Sequence, residues 1–216
     1  MSLEEDIQKF QKEMIEKIPQ ELLAKLQKSR ENIISNNSEI KFLRENEQIP
    51  EFSLPNQTGT MISLKDLIKK GPLVITFYRG GWCPYCNLEL QSLQKHLGQI
   101  QDLGANLIAI SPEMTDKSLS VYEKNNLKFS VLSDYNNTVA KKFGLVFELS
   151  SDVDMLYKNE LKLDLAANNS VDKPELPIPA TYVIGKDKKI KYAFVNSDYT
   201  QRAEPNEIVN VLKKLN

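Results

Sequence analysis

The chain has 216 residues, 41% of them hydrophobic and 26% charged, and its 28 Lys and Arg against 29 Asp and Glu leave a formal charge of −1. This is the composition of a soluble globular protein with one main domain plus an extension or insertion, and the near-neutral balance argues against bulk attraction to nucleic acid or an anionic membrane. No apolar run approaches the ~20 residues of a membrane span, and the acidic start, without an apolar core, does not read as a secretory signal.

The first 35 residues predict helix. Ser2 and Glu5 fit a capping box, and Leu3, Ile7, Phe10, Met14 and Ile18 recur at helical steps on one face. Pro19 ends or kinks that helix, and Leu22, Leu23 and Leu26 form the apolar side of a second. Residues 1–45 read as an N-terminal helical arm, packing on its own domain or serving a homodimer, with a polar break at Ser35–Glu39. Residues 46–216 read as the domain proper.

In that domain, Phe52–Leu54 and Met61–Ser63 flank a turn, Ser63 caps a short helix, and Leu73–Tyr78 is a run suited to a strand buried on both faces. An amphipathic helix runs to about Asp102 and stops at Gly104. A buried strand (106–111), a helix (115–125), a short strand (129–132) and a helix (136–142) follow. Residues 150–176 break the rhythm; polar and weakly helical, they predict an insertion over the domain surface. A hairpin (181–184 with 189–195) and a helix from Pro205 to Leu215 close the chain. Strands alternating with helices predict a layered α/β fold.

The chemistry centres on the only two cysteines, Cys83 and Cys86, in Arg79-Gly-Gly-Trp-Cys-Pro-Tyr-Cys86 between a strand and a helix. With His96, the sole histidine, they make three ligands where structural zinc wants four, so no metal is called for. Asn87 follows the second cysteine where a c-type haem site needs His, so no cofactor is implied. Free backbone N–H groups and the helix dipole at a helix N-terminus favour a thiolate. Two cysteines three apart there are close enough to bond, so one can attack and the other resolve. With no other cysteines to staple a scaffold, this pattern suits the reducing cytoplasm.

Other residues have two readings each. Trp82 gates access or packs. Glu89 relays a proton for Cys86 or is an ordinary first-turn acid. Tyr85 is placed at the surface, and His96 is too far along the helix to be a base. Lys186–Lys191 reads as a solvated hairpin turn.

At this point the sequence resembles the thioredoxin-fold superfamily, in its peroxiredoxin-like branch of alkyl hydroperoxide reductases and thiol-specific antioxidants. Phe52-Ser-Leu-Pro55, Phe77 to Leu90, Ala109 to Glu113 and Pro179 to Ile184 carry the resemblance, the last three pointing to a subgroup with a thioredoxin-type Cys-x-x-Cys. The resemblance implies a central mixed sheet flanked by helices, preceded by the N-terminal extension. It puts Cys86 in the peroxidatic place with Glu89 three residues on. Cys83 stands where such proteins have Thr, and Arg79 where they have Pro. Pro179 takes the place of the arginine that faces the thiolate in peroxiredoxins; it looks like the substrate-facing cis-proline of thioredoxins. Arg79 would then support the thiolate and the leaving oxygen. Asp198–Arg202 follows the last strand in the subgroup pattern, with no role legible from sequence.

Three readings follow as expectations. In the first, Cys86 attacks a hydroperoxide, Cys83 resolves, and thioredoxin or a similar thiol recycles the pair. In the second, Cys83, at the exposed helix cap, attacks a disulfide and Cys86 resolves. The third is a non-enzymatic redox sensor or partner-binding module using the arm.

Overall fold

The computed structural model describes residues 2–169, 171 and 173–215; Met1, Ser170, Asp172 and Asn216, which the ranges 1–45, 46–216 and 150–176 include, lie outside the described residues. In chain order the elements are α1 (Leu3–Lys17), α2 (Gln20–Asn36), β1 (Ser53–Pro55), β2 (Met61–Ser63), α3 (Leu64–Lys70), β3 (Leu73–Phe77) and α4 (Pro84–Asp102). There follow β4 (Asn106–Ser111), α5 (Thr115–Lys124), β5 (Ser130–Ser133), α6 (Thr138–Lys142), β6 (Val146–Glu148), α7 (Ser151–Glu160) and α8 (Leu165–Asn169). Last come β7 (Glu175–Pro177), β8 (Ala180–Ile184), β9 (Ile190–Val195) and α9 (Pro205–Lys213). Among the described residues no helix is long and apolar enough to cross a membrane.

Five strands form the central sheet in the order β5-β4-β3-β8-β9. β3, β4 and β5 run parallel, while β8 pairs antiparallel with β3 and β9 with β8. The sheet is therefore mixed, with β3 at its centre and buried throughout. Alternation along β3 sends Val74 toward α4 and sends Ile75 and Phe77 toward α3 and α6, so each face carries its own core.

The arm is bound into this architecture. Ser2 and Glu5 form the expected capping box. α1 stops at Ile18, whose extended backbone (φ −96°, ψ 136°) is what a following proline demands. Leu3 and Ile7 are buried in the core that includes Leu90, Leu93 and Leu97 of α4. Each contributes roughly 1.5–3 kcal/mol, enough to hold the first turns of α1 in place. Beyond them the same face loosens: Phe10, Met14 and Ile18 are only half-buried.

Residues 150–176, polar in sequence, are anchored by a few buried side chains. Val153 and Tyr157, four apart on α7, join Leu165, Leu176 and Ile33 of α2 in a third buried cluster. Leu176 sits in β7, which pairs with β6 in a small antiparallel ribbon. Few apolar residues, spaced to share one face, were enough to build a wall that mean composition hides.

Candidate active site

β3 ends at Phe77, and the next six residues carry the chain to α4. Gly80 sits at φ +147°, and a Cβ there would overlap Trp82 Nε1; one on Gly81 would overlap Val121 Cγ2. Both glycines are thus required by close approach. Gly81 N–H donates to Glu113 Oε2 at 2.8 Å, and Asn168 Nδ2 donates to the other oxygen at 3.3 Å. Burial raises the Glu113 carboxyl above the usual carboxylate range.

Cys83 is the N-cap of α4, Pro84 its first residue and Cys86 lies in its first turn. Both are free thiols and both are buried. The expected exposure of Cys83 is therefore corrected: it is covered, yet it lines a cavity of about 550 Å³ together with Arg79, Trp82 and Tyr157.

Two buried guanidinium groups face the pair, one per sulfur. Arg79 Nη1 lies 4.0 Å from Cys83 Sγ, and Arg202 Nη2 lies 3.4 Å from Cys86 Sγ. Arg79 is caged by rings, its guanidinium 4.1 Å from the centroid of Tyr199, 4.9 Å from Trp82 and 5.7 Å from Tyr157. Its Nη2 also donates to Tyr157 Oη at 2.6 Å. Arg202 is anchored by Glu89, with Nε 2.7 Å from Oε2, and by the carbonyls of Tyr199 and Gln201. The other Glu89 oxygen accepts from Thr76 at 3.2 Å and Thr181 at 3.0 Å, which are register partners on β3 and β8.

The electrostatics separate the two sulfurs. Burial pushes the Cys83 thiol up, but the hydrogen bond from Cys86 and the charges of Arg79 and Arg202 outweigh it and bring it down to about 5. Burial, the hydrogen bond to Cys83 and the negative charge there hold Cys86 well above the ordinary thiol value, against the pull of Arg202. The pair therefore gives up its first proton readily and holds its second, with the cations favouring the charge on Cys83. Burial also pushes Glu89 up to about 7, with Arg202 opposing.

The residues singled out by sequence are thus placed as follows. Cys83, Cys86, Arg79, Glu89 and Trp82 converge on one site. Glu89 is not an ordinary first-turn acid but a buried partner of Arg202. Pro179 lies just before β8, whose Ala180 pairs with Phe77 at the end of β3. Its peptide is trans, as are all among the described residues, so the cis-proline expectation is corrected. The expectation that no late arginine faces the thiols is corrected too, because Arg202 does so from beyond β9. Tyr85 is buried, edge-on to Phe10 and Tyr199, not at the surface. His96 is held by the Ser92 carbonyl on α4.

Sequence reasoning missed Arg202, Tyr157, Tyr199 and Glu113. Asp198–Arg202 now has a physical account. Asp198 accepts from Thr200 N and Oγ1, folding the turn that puts Tyr199 over Arg79 and Arg202 on Cys86. Thr76 in an otherwise apolar strand was the available signal for a buried polar partner, here Glu89.

A dithiol at a helix N-cap beside a mixed five-stranded sheet defines a thioredoxin-fold thiol protein. The chain belongs to the AhpC/TSA family, which matches it over residues 46–193. Peroxiredoxin Bcp of Escherichia coli K12 is 32% identical over 101 residues, 47% of this chain and 64% of the relative. The bcp protein of Buchnera aphidicola subsp. Schizaphis graminum is 36% identical over 96 residues, 44% of this chain and 60% of the relative. The chain thus spans less than two thirds of the length of these relatives. Among solved structures, peroxidoxin BcpB from Mycobacterium tuberculosis superposes with a TM-score of 0.63 at 21% identity, covering 81% of this chain and 99% of that one. A cysteine-to-serine mutant of PrxQ from Xylella fastidiosa gives 0.62 at 18% identity, covering 81% and 98%. These two similarities describe the fold.

Proposed function

We propose that the chain is a thiol peroxidase that reduces hydrogen peroxide or organic hydroperoxides through Cys83 and Cys86, recycled by a thioredoxin-like dithiol in the cytoplasm. Family membership supports the reaction class. The observation that carries the reading is a low-pKa sulfur on the wall of a cavity, with a caged cation beside it. The family resemblance assigns the first attack to Cys86; the geometry favours Cys83, which lines the cavity and whose thiol the neighbouring cations bring down.

The step balances with the groups present. The Cys83 thiolate attacks the terminal oxygen of ROOH, the O–O bond breaks, and Cys83 becomes a sulfenic acid. The departing alkoxide takes the proton that Cys86 holds toward Cys83, and Arg79 steadies the charge that develops. Cys86, now a thiolate beneath Arg202, attacks the Cys83 sulfur and expels hydroxide, leaving a disulfide. An external dithiol then returns two electrons and two protons.

Thiol–disulfide exchange is the second reading, favoured by the same Cys83 charge, since a low-pKa N-cap cysteine also attacks disulfides. Peroxide consumption by wild type, Cys83→Ser and Cys86→Ser, followed by mass spectrometry, tests the proposal. The expected result is turnover by wild type only, with sulfenic acid accumulating on Cys83 in Cys86→Ser. Peroxide loss no faster than with a free thiol would end the peroxidase reading. A stable mixed disulfide on Cys83 without peroxide reactivity would favour exchange.

A further inference from the structure

The hydroxide that Cys86 expels from oxidised Cys83 is a poor leaving group until it is protonated, and the chain holds a proton donor where that oxygen departs. Cys83, Arg79 and Tyr157 all line the cavity, whereas Cys86 does not. Thiolate attack on a sulfur centre is a displacement, with the entering and departing atoms in line. Cys86 enters from the buried side, where Arg202 Nη2 lies 3.4 Å from its sulfur. The oxygen on Cys83 therefore leaves on the cavity side.

Arg79 joins that side to Tyr157. Its guanidinium places Nη1 4.0 Å from Cys83 Sγ and donates from Nη2 to Tyr157 Oη at 2.6 Å. One planar fork thus sets the sulfur and the phenol side by side. Tyr157 is only 2% exposed. Its oxygen accepts from Arg79, while its own hydrogen is donated to no acceptor among the described residues. A phenol both accepts and donates, so that hydrogen is free to meet an oxygen carried by Cys83.

The other acids near the pair are committed elsewhere. Glu89 holds Arg202 with one oxygen and accepts from Thr76 and Thr181 with the other. Glu113 accepts from Gly81 and Asn168. Tyr199 offers Arg79 its ring face, and burial pushes its phenol up.

We propose that Tyr157 is a catalytic residue, the general acid of the resolving step. Resting on the peroxidase reading above, the Cys86 thiolate bonds to the Cys83 sulfur, and the S–O bond breaks with its electron pair going to oxygen. That oxygen takes the Tyr157 proton and leaves as water. The phenolate keeps its hydrogen bond from Arg79, which holds the charge until a proton from solvent in the cavity restores the phenol.

Trp82, the only tryptophan of the chain, adjoins Cys83 and lines the cavity, so its emission follows both chemical steps of a single turnover. After rapid mixing of the reduced full-length protein with hydrogen peroxide, the first phase should grow with peroxide concentration and the second should not. A positioned acid is worth about 10²–10⁴-fold, so Tyr157→Phe should slow the second phase at least about thirtyfold more than the first. Sulfenic acid should then build up on Cys83, read by mass spectrometry of its 1,3-diketone adduct. Imidazole buffer at neutral pH should speed the variant's second phase in proportion to its concentration and leave that of wild type unchanged.

A second phase that Tyr157→Phe slows no more than the first would overturn the assignment. A slowed phase that imidazole leaves slow would also overturn it, by reducing Tyr157 to a support for Arg79. Buffer acceleration of the wild-type second phase would do the same without any variant. Absence of the first phase, with peroxide lost no faster than with a free thiol, would overturn the peroxidase reading instead.

Discussion

Replacing Arg79 by Met tests whether one buried cation sets the charge state of the cysteine pair. Arg79 Nη1 lies 4.0 Å from Cys83 Sγ, with both residues buried. Unit charges about 4 Å apart interact by roughly 4 kcal/mol at an effective dielectric constant of about 20. At about 1.4 kcal/mol per pH unit, that is about three pH units. Cys83, brought down to about 5 in the native protein, should then titrate at about 8 in Arg79→Met. The methionine stem keeps apolar contact with Trp82 and Tyr199, so the cage need not collapse. The measurement belongs in a Cys86→Ser background, where one thiol titrates and the serine hydroxyl can still donate to it. Thiolate absorbance against pH gives the midpoint, and at about pH 6.5 alkylation by iodoacetamide should slow about thirtyfold. Arg79→Lys keeps the charge and should restore most of the shift. A midpoint that moves by less than about one pH unit in Arg79→Met would refute the argument and hand the thiolate to Arg202 and the helix end.

Glu89 gives a second pH signature. Its folded value of about 7 lies above its ordinary 4.5, so its contribution is full below about pH 4.5 and is lost as pH rises through about 7. Urea unfolding at pH 5 and pH 8 should show wild type losing stability relative to Glu89→Gln, and a difference independent of pH would contradict the burial argument. Gly80→Ala puts a Cβ on Trp82 Nε1 at φ +147°; with about 1–3 kcal/mol of strain, Tm should fall by roughly 2–10 °C. An unchanged Tm would mean the loop tolerates a side chain there. Tyr157→Phe removes the acceptor 2.6 Å from Arg79 Nη2 and should cost about 1.5–3 kcal/mol in urea unfolding; a loss below about 0.5 kcal/mol would show that water or another group replaces it.

Much of this architecture is written in local pattern. The capping box at Ser2, the apolar run at Leu73–Tyr78 and Gly104 behind α4 each act through near neighbours, so their elements fall where the spacing puts them. The dithiol was legible for the same reason, since strand, glycines, N-cap and helix are contiguous. The surrounding charges were not. Arg202 is 116 residues from Cys86 and Tyr157 is 78 from Arg79, and nothing along the chain announces which distant cation will meet a sulfur. Tyr85 looked exposed because its own helix leaves it on the outer face; Phe10 of the arm covers it. Residues 150–176 hid their packing in the opposite sense, because Val153 and Tyr157 of α7 and Leu165 of α8 are too few to raise mean hydropathy yet meet in one buried cluster.

The charge balance of the site has a consequence for its oxidised form. Glu89 pairs Arg202 at 2.7 Å, whereas Arg79 is compensated by the Cys83 thiolate and by ring faces. Joining the two sulfurs removes that anion and leaves a buried cation without a counter-charge, which is strongly unfavourable. The usual gain from a cross-link does not offset it, because the loop closed by Cys83 and Cys86 is minimal and little chain entropy is removed. The disulfide form is therefore expected to unfold at lower urea than the reduced form, and by linkage to be correspondingly easy to reduce. Arg79→Met should shrink the gap between the two forms, since the group that loses its partner is gone. An oxidised protein more stable than the reduced one would show that Arg79 finds another anion when the sulfurs join, and that the thiolate is not what holds its charge in place.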